Sequence, residues 1–542
     1  MSATVALAVG GRPARRVSLD PRMVGLLGTV GVIVVWWLLA AGPLAAAGTV
    51  PTPAAVAVQL VEDGFAFYWP NAAVTILEAV QGYAIGVGLG LVAASVALVL
   101  PFTERFIVQI AVISYCVPIV AIGPIVYLLV GAPRGGAPSG TAIVLAAFAV
   151  FFTTVVNSLL GFRSADKRAL DLVTAYGGGA GARLRKVQVF SALPSIFGAL
   201  KIAAPGALLG AILGEYVGGV DRGLGPAMVN AQQNLDVERT WGVAIVAAAI
   251  AGISFAAIGL IERLARRVGL VADATTAGFS AEDSLRGTGG WRAIASTAMT
   301  VVVLVVLWDV ALRAFGVSTF VGKGPLDVFG YFFTADAAAE NREQIWAETL
   351  TTLGHAAIGF GAGLGVAALV AVLFVLIPPL EFAIMPLAMM MRSVPLVALA
   401  PIVILIFGRD IMTLSVIGGL VVFFPALVNL TMGLRSTPPQ LTDLISVYGG
   451  GGPTVMRMAR IPAALPALFS SVRIAIPGAI GGALLAEWLA TGNGLGYAIV
   501  SAIGRSDNTT VWACVVAITA SSLVLYGLAS VVEQVVRRRW GG

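Results

Sequence analysis

The chain has 542 residues, 58% of them hydrophobic and 11% charged, with a mean hydropathy of +0.96. Soluble globular proteins carry roughly 25% charged residues, so this composition excludes a soluble domain and points to a polytopic membrane protein. The net charge is +6, but the basic clusters abut apolar runs, which argues against a nucleic-acid binder. Those runs recur at about the 20 residues a helix needs to cross a ~30 Å hydrocarbon core. Alternating strands of about ten residues, the signature of a membrane barrel, are absent.

Arg12, Arg15, Arg16 and Arg22 precede the first apolar run and mark residues 1–23 as a cytoplasmic tail. The run at 24–46 shares a basic lead and the small residues Ala45–Ala47 with signal peptides. It is long enough to span, however, and 294–315 occupies the same place later, so a retained helix is expected. Further spans are predicted near 71–100, 104–131, 141–162, 194–218 and 240–263, completing a first domain over 24–267. Val50-Pro51-Thr52-Pro53 opens an outer segment carrying Glu62 and Asp63, and 131–140 reads as a Gly/Pro-rich outer loop. Cys116 lies inside an apolar run, as does Cys514, and both read as small core residues. No metal site is expected, because the one histidine, His355, cannot supply a His-based cluster.

Residues 268–292 form a polar cytoplasmic linker, after which the pattern restarts. Spans are predicted near 293–315, 349–377, 382–407, 411–434, 466–490 and 511–535, giving a second domain over 293–542 with Arg537–Arg539 after the last span. The halves share fine detail: Thr75 and Gly82 answer Thr352 and Gly359, Val117-Pro118 answers Val394-Pro395, and Glu215 answers Glu487. Likewise Asn157 answers Asn429, Pro205 answers Pro477, Gly223-Leu224-Gly225 answers Gly494-Leu495-Gly496, and Glu262 answers Glu533. An even number of spans per half makes this a parallel duplication. The expected fold is an all-α polytopic membrane protein of twelve transmembrane helices in two parallel six-helix repeats, both termini cytoplasmic.

Between the fourth and fifth spans of each half lies a Gly-broken basic island, 166–193 and 436–465. Asp171–Pro194, DLVTAYGGGAGARLRKVQVFSALP, aligns without a gap on Asp443–Pro466, DLISVYGGGGPTVMRMARIPAALP. Span parity and the excess of Arg163, Lys167, Arg168, Arg183, Arg185 and Lys186 over Asp166 and Asp171 both place the first island in the cytoplasm. A short amphipathic helix broken at Gly177-Gly178-Gly179 or Gly449–Gly452 suits a groove on a partner protein; the alternative is a solvated loop.

The islands resemble the cytoplasmic loop of binding-protein-dependent ABC importer permeases, which reads Glu-Ala-Ala, three residues, Gly, then a basic helical stretch ending in Leu-Pro. The residues that follow, Leu193–Ala203 and Leu465–Ala475, resemble the nitrate/sulfonate/taurine/bicarbonate branch, as does Arg392–Pro401, RSVPLVALAP. The resemblance covers nearly all of both halves. It implies the type I importer permease fold, two permease domains fused in one chain, two ATP-binding cassette ATPase subunits that bind ATP and Mg, and an external solute-binding protein. The chain itself is then a pore in the prokaryotic plasma membrane, without cofactor or catalytic residues. Coupling to the ATPases falls to Asp171, Tyr176, Gly177, Arg183, Asp443, Tyr448, Gly449 and Arg457. Asp171 and Asp443 stand where the family has Glu, and Phe190 replaces a proline that survives as Pro462. Glu78 and His355 occupy matching places where the family often has a basic residue. No P-loop is present: Gly316–Lys323 comes nearest, one residue too long and with Gly324 in place of the hydroxyl.

Ionisable groups inside spans are candidates for the pathway. Glu215 and Glu487, near the outer ends of the fifth and eleventh spans, read as an outer gate or receptor contact, or as helix-end carboxylates bonded to a neighbouring loop. Arg392 lies roughly 15 Å into the ninth span at 1.5 Å per residue, opposite Tyr115 in the repeat. It reads as a bidentate oxyanion ligand or as a snorkelling side chain. Lys201 and Arg473 are expected to snorkel, and Pro118, Pro205, Pro395 and Pro477 to be hinges or static kinks that free backbone carbonyls. The expected solute is a small anion such as a sulfonate, nitrate or bicarbonate, or a thiamine-precursor-like heterocycle. The alternative is a twelve-helix secondary transporter driven by an ion gradient, which leaves the duplicated island without a task.

Overall fold

In hydrocarbon the backbone must satisfy its own hydrogen bonds, and a helix does so within one segment. The computed structural model describes residues 3–5, 17–19, 21–45, 48–133, 137–269, 291–381, 384–385 and 396–540. Their regular structure is helical apart from the three-residue antiparallel pair β1 (Ala3–Val5) and β2 (Val17–Leu19). The first half comprises α1 (Pro21–Ala41), α2 (Pro53–Val99), α3 (Pro101–Cys116), α4 (Ile119–Val130), α5 (Gly140–Arg163), α6 (Lys167–Ala175), α7 (Ala180–Val217), α8 (Leu224–Gln233) and α9 (Val237–Arg267). The second comprises α10 (Trp291–Ala314), α11 (Pro325–Phe333), α12 (Ala338–Leu376), α13 (Leu396–Phe407), α14 (Ile411–Arg435), α15 (Pro439–Val447), α16 (Gly452–Thr491), α17 (Gly494–Gly504) and α18 (Asn508–Trp540).

Among the described residues, eight helices are long and apolar enough to cross a membrane: α2, α5, α7, α9, α12, α14, α16 and α18. The third expected span is two helices, α3 and α4, bent by 96° and together sufficient for a ninth. The break falls at Val117-Pro118. Proline has no N–H and disfavours the helical conformation in the residue before it, and Val117 is extended, with ψ 116°. α1 and α10 stand where the first and seventh spans are expected. Of the ninth, 382–407, the residues carrying Arg392 and Pro395 lie outside the described residues.

The expected outer segment before the second span is also helical. α2 starts at Pro53, where Thr52 Oγ1 accepts from Ala55 N at 3.2 Å and proline takes the first helical position. It kinks at Gly64, which has φ 64°. In the second half the corresponding piece is the separate helix α11. Phe65 stacks on Trp69 as Phe329 packs on Phe333, and the Trp36–Trp241 stack recurs as Trp308–Trp512, both at 5.2 Å between ring centroids.

Within each half one span is sandwiched between two others, α5 between α2 and α7 and α14 between α12 and α16. Lipid tails are as apolar as leucine, so adhesion here comes from close contact at small residues. A Cβ added to Gly86 would lie 2.3 Å from Ala147 O, and one added to Gly214 2.3 Å from Ala142 Cα. In the second half a Cβ on Gly359 would lie 2.8 Å from Gly418 Cα and one on Gly363 2.4 Å from Gly419 O. At one end of the bundle an ion pair ties the third span to the fourth, Glu104 with Arg163, and Glu381 with Arg435 repeats it. Lys201 and Arg473 depart from the snorkelling expectation. Each finds a carboxylate on the last span of its half, Lys201 on Glu262 and Arg473 on Glu533. Both cysteines are buried and free.

Gly214→Val places branched carbons inside the Ala142 backbone and is expected to abolish the monodisperse peak of detergent-solubilised protein. Gly252→Val, whose Cβ meets nothing within 4 Å, should leave it intact. Equal behaviour of the two variants would contradict the packing scheme.

Candidate functional site

The two islands fold alike. Asp166 Oδ1 accepts from Arg168 N at 2.9 Å and opens α6. After Tyr176 the chain turns left-handed at Gly177, with φ 78°; Gly177 N donates to Thr174 O and Gly178 N to Val173 O, each at 2.9 Å. At the end of α15, Gly449 has φ 80°, with Gly449 N on Ser446 O at 3.0 Å and Gly450 N on Ile445 O at 2.9 Å. This reciprocal closure needs the left-handed residue that glycine supplies without a Cβ penalty. The chain then re-enters helix, passes one wide turn at Leu184–Gln188 or Met456–Arg460, and continues without interruption as the fifth or eleventh span. Phe190 and Pro462 are both accommodated in that continuous helix.

The islands leave apolar side chains in the open. Tyr176 and Tyr448 are 87% and 85% exposed, and Leu172, Leu444 and Val447 stand beside them. Asp171, Asp443 and Arg457 are exposed as well, and Arg183 is half-buried. Each island is therefore a knob with exposed apolar side chains at its glycine turn, its second limb continuous with a span.

Farther along the same span comes a buried carboxylate. Glu215 accepts from Thr75 Oγ1 at 2.5 Å and from Gly225 N at 2.7 Å, while Leu224 N donates to Thr75 Oγ1 at 2.9 Å. The first amides of α8, which have no partner inside their own helix, are thus met by side chains of α2 and α7. The second half repeats the arrangement: Glu487 accepts from Thr352 Oγ1 and Gly496 N, both at 2.9 Å, and Leu495 N donates to Thr352 Oγ1 at 2.8 Å. The Gly-Leu-Gly motifs make room for this, since a Cβ on Gly223 or Gly494 would fall 2.5 or 2.3 Å from the carboxyl carbon.

The fourth member differs between halves. His355 Nδ1 lies 2.7 Å from Glu487 Oε1, whereas the matching residue of the first half, Glu78, accepts from Ser139 N at 2.6 Å. Glu215 and Glu487 are buried, and each accepts from a threonine of the second span of its half and from an early amide of the short helix that follows its own span.

The halves meet around a cavity of about 370 Å³. Equivalent residues of the two halves line it, Phe152 with Phe424 and Leu213 with Leu485, as a parallel two-fold demands. Pro118 and Pro477 line it; Pro205 does not. Tyr115 stacks on Phe152 at 4.3 Å and donates to Ile474 O of the other half at 2.7 Å. Neither Glu215 nor Glu487 is among the lining residues. Sequence reading singled out the Glu, Thr and Gly-Leu-Gly repeats without joining them. It missed the cavity wall, because the helical register of Phe148, Phe152 and Phe424 is that of any core face.

A helical pore of two parallel halves with a projecting knob on each is the architecture of an importer permease, and comparison agrees. Residues 86–270 and 359–538 each match the family described as binding-protein-dependent transport system inner membrane component, and the chain belongs to that family. It is 30% identical over 240 residues to the riboflavin transport system permease protein RibX of Chloroflexus aurantiacus, covering 44% of this chain and 88% of that protein. Over 194 residues it is 30% identical to the formylaminopyrimidine transport permease protein ThiX of Halalkalibacterium halodurans, 36% of this chain and 75% of that one. It is 29% identical over 237 residues to SsuC of Escherichia coli, named for aliphatic sulfonates transport, 44% and 87% respectively. The chain is thus an ABC importer permease with two family domains, rather than a secondary transporter.

Glu215→Ala and Glu487→Ala should each destabilise the chain by about 1–3 kcal/mol, the cost of leaving buried donors unpaired, read as a lower Tm in detergent. An unchanged Tm with lost uptake would make these residues a gate instead of a brace.

Proposed function

We propose that this chain alone forms the complete transmembrane pathway of an ATP-driven importer in a prokaryotic plasma membrane. Two separate ATPase subunits, which bind ATP and Mg, each grip one knob on the cytoplasmic side. An extracytoplasmic solute-binding protein delivers a small solute at the opposite end. Residues 24–267 and 293–542 are the two permease domains, 268–292 is a cytoplasmic linker, and both termini are cytoplasmic.

The observation that carries this reading is the continuity of each island with a cavity-lining span. α7 runs from Ala180, beside the knob, to the wall residues Leu209 and Leu213, and α16 runs likewise to Gly481 and Leu485. A force applied at Tyr176 or Tyr448 passes one closed glycine turn, at Gly177 or Gly449, and then reaches the cavity along a single helix. When the two ATPases close on ATP, the knobs are drawn together and the pore exchanges inward-open for outward-open packing. The nucleotide cycle supplies the differential binding that such a two-state shift requires. In this scheme Tyr176 and Tyr448 fill a groove on the ATPase, with Asp171, Arg183, Asp443 and Arg457 ringing them with charge. Gly177 and Gly449 set the angle between the two limbs of each knob, the bend at Pro118 is where the third span flexes, and Pro395 is its counterpart in the sequence of the second half.

Valine at Gly177 and Gly449 must adopt positive φ, at a cost of about 1–2 kcal/mol per residue, or else redirect the knob. The double variant should remain folded but retain ATPase subunits at least tenfold less well on co-purification. Recovery at the wild-type level would contradict the coupling role. The purified chain without added subunits is expected to hydrolyse no ATP.

A further inference from the structure

The helix α2 is too long to be a single span. Its 47 residues cover about 70 Å at 1.5 Å per residue, against a ~30 Å hydrocarbon core and about 40–45 Å with both headgroup layers. The chain already divides it at Gly64, whose φ of 64° and ψ of −177° are not helical. From Phe65 an exposed apolar stripe follows the helix through Leu77, Val80, Ile85 and Leu89 to Val96. The rise from Phe65 to Val96 is about 46 Å, which takes up the whole bilayer.

Residues 53–63 have no hydrocarbon left to cross, yet they stay apolar outside. One face is held by the protein: Val56 is buried, and Asp63 pairs with Arg239 of α9 at 2.6 Å. On the other face Ala54, Ala57, Val58 and Val61 are exposed, Val61 to 81%, with Glu62 the one charged residue beside them.

The second half reaches the same arrangement by a separate helix. In α11, Val328, Tyr331 and Phe332 pack on the core, and Thr510 Oγ1 of α18 donates to Tyr331 Oη at 3.1 Å. Its opposite stripe, Leu326, Phe329 and Phe333, is exposed, Leu326 to 77%. A helix apolar on both sides is not built to face water. Immediately after it, Thr334, Asp336, Glu340 and Glu343 are exposed and polar. Trp69 and Trp346, each six residues ahead of the braced Thr75 or Thr352, are exposed as well, and tryptophan concentrates at membrane–water boundaries. Apolar and polar surfaces thus alternate at one level, the end of the bundle opposite the knobs.

We propose that 53–63 and α11 lie in the plane of the membrane, their exposed apolar faces sunk about 5–10 Å into the headgroup–acyl boundary. Continuity with the lipid-facing stripe of α2 names the occupant as lipid. Glu62 and Asp327 are the only charges on the exposed faces, so apolar burial holds the helices down and anionic headgroups are not needed. Each helix clips the second span of its half to the last, through Arg239 or Thr510, and the two form a collar that fixes the depth of the braced ends. This goes beyond the pore reading and does not rest on it.

The test places single nitroxide labels on Val61→Cys, Phe329→Cys and Glu340→Cys in the full chain, reconstituted in phosphatidylcholine vesicles. Cys116 and Cys514 are buried, and chain without an added cysteine gives the background. Labels at 61 and 329 are expected to collide with oxygen at least threefold more than with a water-soluble nickel chelate, and the label at 340 to show the reverse. Adding phosphatidylglycerol should change neither. Nickel access at 61 or 329 equal to that at 340 would overturn the proposal, as would burial that appears only with the anionic lipid. So would shielding from both relaxants, or water access lost only when a solute-binding protein is added, since each puts protein on the face instead of lipid. Val58→Cys and Leu326→Cys, on the same faces, replace any variant that fails to reconstitute.

Discussion

A carboxylate with no access to water ties each half together. In hydrocarbon an unpaired backbone amide costs several kcal/mol, and a short helix that starts beside the membrane core exposes several. Glu215 and Glu487 meet those amides at the starts of α8 and α17, with Thr75 and Thr352 as intermediaries. The second span is thereby fixed at one point to two consecutive elements distant from it in the chain, the last span before the short helix and the short helix itself. The glycine-lined contacts of α5 and α14 then set how closely the spans lie. Everything else, from the cavity to the knobs, hangs on rods whose far ends are pinned in this way.

Pinning gives the rods a use. A helix that is braced at one end, lines the cavity in its middle and carries a projecting knob at the other behaves as a lever. Among the described residues nothing covers Tyr176 or Tyr448, which are 87% and 85% exposed, and in the proposed scheme a partner's groove does. The two levers are not identical, because the cavity walls differ at Leu209 and Gly481 and the braces differ at Glu78 and His355. Fusion of two domains into one chain lets the halves diverge in this way, which identical copies cannot do.

Much of the fold was legible in the sequence because lipid imposes so few solutions. Span lengths, the parallel repeat and the matched islands all follow from apolar runs and gapless correspondence, and Thr75, Glu215 and Gly223-Leu224-Gly225 stood out by recurring. The helical start at Pro53 was obscured because Glu62 and Asp63 look like a loop; Asp63 instead pairs with Arg239 on α9 at 2.6 Å. Lys201 looked like a snorkelling cation because its partner Glu262 is sixty-one residues away, on a span whose facing side a linear reading does not give. The cavity was invisible for a similar reason. Rings at Tyr115, Phe148 and Phe152 acquire meaning only once they line one cavity together with residues of the other half, and helical periodicity alone assigns them to a core.

The lever arrangement reduces to one distance. Spin labels on cysteines at positions 176 and 448, in chain reconstituted with its ATPase subunits, report the separation of the two knobs by pulsed electron resonance. Cys116 and Cys514 are buried and stay silent. The account predicts that this separation shortens when non-hydrolysable ATP is added and recovers on its removal, in step with a change in solvent access to Gly481. A separation that ignores nucleotide while uptake proceeds would contradict it.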